Sequence, residues 1–260
     1  MADESHEYNP LDYANLTRNC VEELMKRGPY ALPLEKEFTG AGVYALFYGG
    51  DFTLYSSIRS PNAQHPIYVG KAIPAGARTG RKAADGSKPG KPLYGRLQEH
   101  AESIQLAAGT LRVEDFRCRY LVVTPLWITM AERFLIEDFQ PLWNIALDGF
   151  GNHDPGQYRA GIISWWDLLH PGRSDTWTGR PFTALTKKKR KRGRTGQPGE
   201  EIEVTTTRTV EEARERVEAF LTASPNARRR MAEEAAARRQ AQEGGSIDEG
   251  AGGDQWAAEE

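Results

Sequence analysis

The sequence is poor in cysteine and contains no long apolar run. Its 260 residues include only two cysteines, Cys20 and Cys118, far apart and in unrelated surroundings. Two such cysteines exclude a disulfide framework and a cysteine-rich zinc site, and we expect both to be small core residues. No stretch approaches the roughly 18 consecutive apolar residues of a membrane span. The first nine residues are polar and acidic without an apolar signal segment, so we expect a soluble, cytoplasmic protein.

Charge is distributed unevenly, although the net charge is only −2. Residues 200–260 carry 15 acidic and 8 basic side chains, whereas residues 1–199 carry 26 basic and 21 acidic ones. Two segments supply most of the positive charge: residues 71–96 hold seven basic residues against Asp85 alone, and residues 187–194 hold seven in eight positions. Such clusters favour a polyanionic partner, although a solvated loop and a solvated linker would have the same composition.

Apolar patterns predict one α+β domain with appendages. β-Branched and aromatic runs bounded by glycine or proline predict strands over residues 42–48, 66–70 and 116–123. Helical apolar spacing predicts helices over residues 11–27, 92–106 and 129–140, with Glu132 near the start of the third. Residues 72–91 contain six glycines or prolines and are predicted to form a loop. We expect Trp165 and Trp166 to be core residues.

The chain divides into three predicted parts. Residues 1–39 form a helix and an extended arm, residues 40–184 form the central domain, and residues 185–260 form a basic linker and a charged tail. Within the tail, Ser224-Pro225 is typical of a helix start and Gly244 of its end. Met231 is the only large apolar residue between them, so this segment is a solvated helix or a tail that folds on a partner. One hypothesis is that the basic run binds the acidic tail or holds DNA non-specifically.

Two short strand motifs are more informative together than either is alone. Gly42-Val-Tyr44 begins one predicted strand, and Tyr68-Val-Gly70 ends the next, about two dozen residues later. Taken singly, each would be explained by tyrosines that pack on a small sheet. Four polar residues then follow in order, the first two on one face of the second helix: Arg96, His100, Glu132 and Asn144. This ordered set resembles the GIY-YIG nucleases.

The resemblance is closest to the type II restriction endonucleases of that family that recognise the palindrome CCGCGG. It covers roughly residues 38–173 and is carried by five blocks: Gly40-Ala-Gly-Val-Tyr-Ala-Leu-Phe-Tyr48, Pro66-Ile-Tyr-Val-Gly-Lys-Ala72, Pro141-Leu-Trp-Asn144, Asp148-Gly-Phe-Gly-Asn-His153 and His170-Pro-Gly-Arg173. It implies a small three-stranded antiparallel or mixed sheet flanked by helices. The tail beyond about residue 185 is a departure from that subgroup.

The resemblance implies metal-dependent hydrolysis of phosphodiester bonds in DNA. Glu132, the only carboxylate in the motif set, is expected to hold one Mg²⁺ or Mn²⁺ per active site, with water and substrate phosphate in the other positions. Its alternative role is a carboxylate that interacts with the dipole at a helix N-terminus. Arg96 would stabilise the pentavalent phosphate through its planar guanidinium. Tyr68 would position the phosphate, and Asn144 would orient the site.

Tyr44 resembles the general base of the family. A free tyrosine has a pKa near 10, so it needs help to lose its proton at neutral pH. We expect the metal, Arg96 and Lys71 to lower the pKa of Tyr44, and His100 to accept its proton or to orient the phenol.

The glycine-rich and basic loops are expected to contact double-stranded DNA. Arginine and lysine bind guanine O6 and N7 in the major groove, which suits a target made only of G·C pairs. The predicted DNA-binding residues are Arg78, Arg81, Lys82, Lys88, Lys91, Asn152 and His153. A palindromic target implies a two-fold homodimer with one active site per strand.

Other functions stay open at this point. A GIY-YIG repair or homing nuclease would usually carry a separate DNA-binding module, and a non-catalytic DNA-binding protein could keep the fold. A pure interaction protein would leave the ordered motif set unexplained. A histidine-metal nuclease built on His153 or His170 would need a cysteine or second histidine at ligand spacing, which neither has.

Overall fold

A four-stranded antiparallel sheet organises the protein. The computed structural model describes residues 11–74, 90–151, 164–173 and 208–223, and the backbone alone of residues 186–190 and 201–205. The strands are β1 (Tyr30–Ala31), β2 (Gly42–Tyr48), β3 (Tyr68–Ala72) and β4 (Phe116–Val122), in the spatial order β1-β4-β2-β3. The predicted α+β class and its three main strands are confirmed. The two-residue strand β1 was not predicted, because it is too short to show any periodicity.

Helices cover both faces of this sheet. The six described α-helices are α1 (Tyr13–Met25), α2 (Pro92–Leu106), α3 (Pro125–Phe139), α4 (Leu142–Ile145), α5 (Trp165–Leu169) and α6 (Val210–Ala223). Two 3₁₀ turns lie at Thr53–Ile58 and Val113–Asp115. Among the described residues, no helix is both long enough and apolar enough to cross a membrane.

The central strand β2 is buried on both faces, which explains its almost wholly apolar and aromatic sequence. Alternate side chains point to opposite faces of a strand. Val43, Ala45 and Phe47 therefore face one cluster, with α1 and α3. Tyr44 and its alternate neighbours Leu46 and Tyr48 face a second, larger cluster that includes residues of α2, α4, α5 and α6. The candidate site develops on this second face and at the adjacent edge of the sheet.

The helix that carries Glu132 begins earlier than predicted. α3 starts at Pro125, whose fixed φ and missing N–H suit the first helical turn, and it ends at Phe139, before Gln140 in the left-handed conformation and Pro141. Glu132 therefore lies in the middle of the helix rather than near its start. The expectation was wrong by about one turn, and the helix dipole does not account for this carboxylate.

The segment after residue 185 contains regular structure that the sequence prediction missed. Residues Thr186–Arg190 form β5, paired antiparallel with β6 (Glu201–Thr205), so part of the predicted basic linker is a strand. The predicted helix over residues 224–244 lies outside the described residues. The division of the chain at residues 39 and 184 stays a prediction.

α6 packs against the central part of the protein. Its first turn has a capping box, in which the Thr209 hydroxyl accepts from the Glu212 N–H and the Glu212 carboxylate accepts from the Thr209 N–H. Ala213 and Val217, four residues apart, are buried in the larger cluster. Contacts with α5 therefore cross the predicted boundary at residue 185.

Candidate active site

The two tyrosines of the strand motifs lie on neighbouring strands. Tyr44 of β2 is opposite Gly70 of β3, and Tyr68 is opposite Leu46, so the two tyrosines are one diagonal step apart. Their ring centroids are 6.2 Å apart. A Cβ atom on Gly70 would lie 2.5 Å from Tyr44 Oη. The glycine is therefore required because it leaves room for the Tyr44 phenol.

A short hydrogen bond joins Tyr44 to the second helix. Tyr44 Oη lies 2.6 Å from His100 Nε2, and both residues are about 1% exposed. When Nε2 carries no proton, the phenol donates and the imidazole accepts. The His100 ring stacks on Phe150 with centroids 4.5 Å apart and an interplanar angle of 17°. This contact helps to hold the imidazole ring in the orientation in which Nε2 faces the Tyr44 hydroxyl.

Burial sets the proton affinity of the two tyrosines. It raises the pKa of Tyr44 well above its usual value, and the neighbouring Tyr68 adds to the effect. Arg96 opposes both contributions without overcoming them. Burial raises the pKa of Tyr68 as well. The expected lowering of the Tyr44 pKa is therefore not produced by the protein's own groups, because desolvation of a phenolate outweighs one nearby guanidinium.

Arg96 lies beside the two tyrosines at the start of α2. Its guanidinium forms an ion pair with Glu99 at 2.6 Å and donates to the carbonyl of Gly151. The Arg96 side chain is 13% exposed, so part of the guanidinium is accessible while the rest is fixed. A fixed, partly exposed guanidinium suits recognition of a phosphate.

A second pair of charged residues lies at the adjacent sheet edge. Lys71 Nζ of β3 is 2.7 Å from Glu132 Oε2 of α3 and 3.4 Å from Thr129 Oγ1. The two charged side chains are 32% and 21% exposed. No group of three His, Cys, Asp or Glu residues suited to a metal occurs within residues 11–74, 90–151, 164–173 and 208–223. A single carboxylate open to solvent fits Mg²⁺, which commonly binds one or two carboxylates and completes its shell with water and phosphate.

Asn144 fixes the strand between these two groups. Its side-chain carbonyl accepts from the Val69 N–H, and its amide donates to the Val69 carbonyl, both at 2.8 Å. The side chain therefore pairs with β3 as another strand would. Because Val69 lies between Tyr68 and Gly70, these bonds fix the part of β3 that carries both residues.

All seven predicted catalytic residues thus lie on or against the β2–β3 pair, but not on one face of it. The face of α2 holds Tyr44, Tyr68, Arg96 and His100, the face of α3 holds the Lys71–Glu132 pair, and Asn144 binds the backbone of β3 at Val69. Among the predicted DNA-binding residues, Lys91 forms an ion pair with Glu37 at 2.5 Å. The others lie outside the described residues: Arg78, Arg81, Lys82, Lys88, Asn152 and His153. Trp166 is buried, as expected, whereas Trp165 is only partly buried and packs under the guanidinium groups of Arg208 and Arg216.

His170 lies in a separate buried pair. Its Nε2 is 2.6 Å from Tyr55 Oη, and its Nδ1 is 2.8 Å from Thr110 Oγ1. Burial, assisted by Arg173, lowers the pKa of His170 to about 3, so this histidine is neutral at neutral pH. Because both ring nitrogens are occupied by protein hydroxyls, His170 is a structural residue.

The sequence predicted no role for the residues that pack against His100 and Tyr68. Phe150 packs on both His100 and Tyr68, and a buried Asp167–Arg173 pair holds the backbone on either side of Phe150. Arg173 belongs to the His-Pro-Gly-Arg block that helped to carry the resemblance. The sequence pattern therefore included Arg173, but it did not predict the contacts of this residue.

Comparison with known proteins finds one family for the part of the chain that carries this site. The family model described as the Eco29kI GIY-YIG domain matches residues 36–194, which is more than half of the chain. No curated protein gives a significant match.

We predict that Gly70→Ala slows DNA cleavage by about 100-fold, because a shift of the order of 1 Å in a reacting group has that effect. The added methyl group would displace the Tyr44 phenol from His100. The measurement is the single-turnover cleavage rate, with a thermal melt to verify folding. Gly109→Ala is the control, because a Cβ atom there has nothing within 4 Å. An equal loss in both variants would contradict the steric explanation.

Proposed function

The chain belongs to the family of the Eco29kI GIY-YIG domain, and on that premise we propose that it is a type II restriction endonuclease that cuts double-stranded DNA at the palindrome CCGCGG. Membership of this restriction-enzyme family makes it an endonuclease, a hydrolase that acts on DNA. Eco29kI itself cuts CCGCGG. The observation that carries the proposal is the buried Tyr44–His100 bond beside Arg96, inside the matched region.

Tyr44 acts as the general base in this proposal. A phenol whose pKa is raised by burial does not lose its proton to bulk water at neutral pH. The 2.6 Å bond to His100 Nε2 supplies an acceptor. As Tyr44 takes a proton from the attacking water, its own proton passes to an unprotonated Nε2 of His100. The pair therefore works as a relay, and the phenolate never needs to accumulate.

Arg96 and Tyr68 bind the scissile phosphate. The Arg96 guanidinium is held at Glu99 and Gly151, so it meets the developing negative charge without first reorganising. The Tyr68 phenol lies next to Gly151, where a Cβ atom would collide with it. Tyr68 remains neutral, because burial raises its pKa, and it serves as a hydrogen-bond donor to a phosphate oxygen.

Glu132 holds the divalent ion, Mg²⁺ or Mn²⁺. When bound, such an ion supplies a Lewis acid that stabilises charge on the phosphate and on the leaving 3′ oxygen. Lys71 Nζ lies 2.7 Å from Glu132 Oε2, where the ion would bind, so the ammonium must move away before the ion can bind. The displaced ammonium is then available to the phosphate. Asn144 keeps Lys71 and Tyr68 in register by fixing β3 at Val69.

A palindromic target suits a homodimer with two-fold symmetry on DNA. Each copy places one active site on one strand, so two cuts sever the duplex. The basic residues between β3 and α2 lie in sequence between Lys71 and Arg96, the two cations proposed to act on the scissile phosphate. We propose that this loop and Asn152-His153 contact the target.

The first test is cleavage of a duplex with a single CCGCGG site in the presence of Mg²⁺. We expect a site-specific double-strand cut by the wild type and loss of cleavage in Glu132→Gln, because the amide is a poor ligand for a hard cation. Glu137→Gln is the matched control, since it changes an exposed carboxylate on the same helix. Cutting at other sequences would reject the target, and binding without cutting would indicate a non-catalytic DNA-binding protein.

The proposed relay predicts a pH dependence. Glutamine at position 100 can accept a hydrogen bond from the phenol but cannot take up its proton, so in His100→Gln the rate follows the small phenolate fraction of Tyr44. Because that pKa is raised, the fraction increases about tenfold per pH unit between roughly pH 7 and 9.5. The wild type should show a shallower slope.

Single-turnover rates across this range provide the measurement. Tyr44→Phe is expected to be slow and to lose the dependence. Tyr55→Phe is the control, because it removes a second 2.6 Å tyrosine–histidine bond that shares no residue with the site. A flat profile in His100→Gln would contradict the role of Tyr44 as base.

Competition between Lys71 and the ion predicts a gain of affinity on removing the lysine. Lys71→Met should strengthen Mn²⁺ binding by about fivefold, the change that corresponds to about 1 kcal/mol for a partly exposed ion pair. Electron paramagnetic resonance during a Mn²⁺ titration measures this without any cleavage. Glu132→Gln should abolish the binding in both backgrounds. Unchanged affinity in Lys71→Met would show that the lysine does not compete.

A further inference from the structure

The loop Gly149–Gly151 contacts three proposed catalytic side chains. The Gly151 carbonyl accepts from Arg96, and the Phe150 ring stacks on His100 at 4.5 Å. The same ring meets Tyr68 edge-on at 5.0 Å. A displacement of this loop would therefore move Arg96, His100 and Tyr68 together.

Arg173 holds the backbone of this loop. Its Nη1 donates to the Phe150 carbonyl at 2.9 Å, and its Nη2 donates to the Gly149 carbonyl at 3.0 Å. The side chain is fully buried. Two consecutive carbonyls are thus bound by one planar fork, which an ammonium group cannot reproduce.

The Arg173 fork is itself fixed in place. Asp167 accepts from Nε and Nη2, both at 3.1 Å, and also accepts from the Ser164 hydroxyl at 2.6 Å. The guanidinium carbon lies 4.5 Å from the centre of the Trp166 ring. Gly149 has a φ of +109°, and a Cβ atom there would collide with Ser164. Arg173 with its partners and the Gly149–Gly151 loop therefore pack together in one arrangement.

We propose that Arg173 positions Arg96 for phosphate binding, acting through the Gly149–Gly151 backbone. The chain of contacts runs from Asp167 to Arg173, to the Phe150 carbonyl, and through Gly151 to the Arg96 guanidinium. Arg173 is a positioning residue, since it is buried and does not meet the substrate. This inference rests on the proposed function, because it requires Arg96 to act on the reacting phosphate.

Arg173→Lys, Arg96→Lys and the double variant form the test. Single-turnover cleavage is measured on the duplex that the wild type cuts, and the DNA Kd is measured with Ca²⁺ in place of Mg²⁺. We expect Arg173→Lys to slow cleavage by about 100-fold, the effect of misplacing a reacting group by about 1 Å, while the Kd changes by less than about threefold. We expect the double variant to be less than about threefold slower than Arg96→Lys alone, because residues that act as one unit are not additive.

Arg119→Lys is the matched control. Arg119 is also buried and also donates to three backbone carbonyls, but these belong to Met25, Arg27 and Ala63 rather than to the loop. It should lower the Tm and leave the cleavage rate of the folded protein unchanged. If Arg173→Lys lowers only the Tm, as this control does, the proposal is overturned. It is equally overturned if the losses from Arg96→Lys and Arg173→Lys multiply in the double variant.

Two further outcomes separate this proposal from the proposed function. If Arg96→Lys cleaves at the wild-type rate, the role of Arg96 fails and the positioning role fails with it. If Arg96→Lys is slow and Arg173→Lys is not, only the positioning role fails. Should Arg173→Lys not fold, Asp167→Asn replaces it, since it keeps the arginine and loosens its anchor. The same lack of additivity with Arg96→Lys is then expected, and multiplied losses would overturn the proposal.

Discussion

The buried hydrogen bond between Tyr44 and His100 is the interaction on which the rest of the site depends. The phenol and the imidazole can be buried together because each supplies the other with a hydrogen-bond partner, at 2.6 Å. The bond needs β3 in a register that places Gly70 opposite Tyr44, since any larger residue would collide with the phenol. It also needs α2 docked so that His100 faces the sheet. Strand register and helix packing are thus constrained by one polar contact.

The surroundings of that bond are aromatic, and this has a chemical consequence. Phe150 covers His100 and contacts Tyr68, while Trp143 and Trp166 pack behind Phe150. Such an environment desolvates the two phenols and thereby raises the pKa of both tyrosines. The charged groups border this aromatic cluster: Arg96 lies beside the two tyrosines, and the Lys71–Glu132 pair lies at the edge of the sheet. The proposed base and its acceptor therefore lie among aromatic side chains, with Arg96 in contact with the Tyr44 phenol.

Much of the fold could be predicted from local patterns, and the failures have physical causes. The strand Gly42–Tyr48 and the helix from Pro92 follow from their residue types and from the glycine and proline residues at their ends. α6 was missed although Thr209 and Glu212 form a capping box and an apolar stripe recurs at helical spacing, because the many charged residues around that stripe are typical of a solvated tail; the stripe consists of Val210, Ala213, Val217, Phe220 and Leu221. The stripe is typical of an amphipathic helix, but the surface that buries it, which includes α5, is decided by the tertiary structure.

The sequence by itself determined which side chains the candidate site contains. Their order and spacing are similar to those of the GIY-YIG family: two tyrosine motifs, then Arg96, His100, Glu132 and Asn144. Only the tertiary structure decided how these residues meet. Burial raises the pKa of Tyr44 where cations were expected to lower it, and Lys71 pairs with Glu132 rather than acting on the phenol. Arg173 lies more than twenty residues from the carbonyls that it binds. Desolvation and contacts distant along the chain are properties of packing, and no local pattern of residues specifies them.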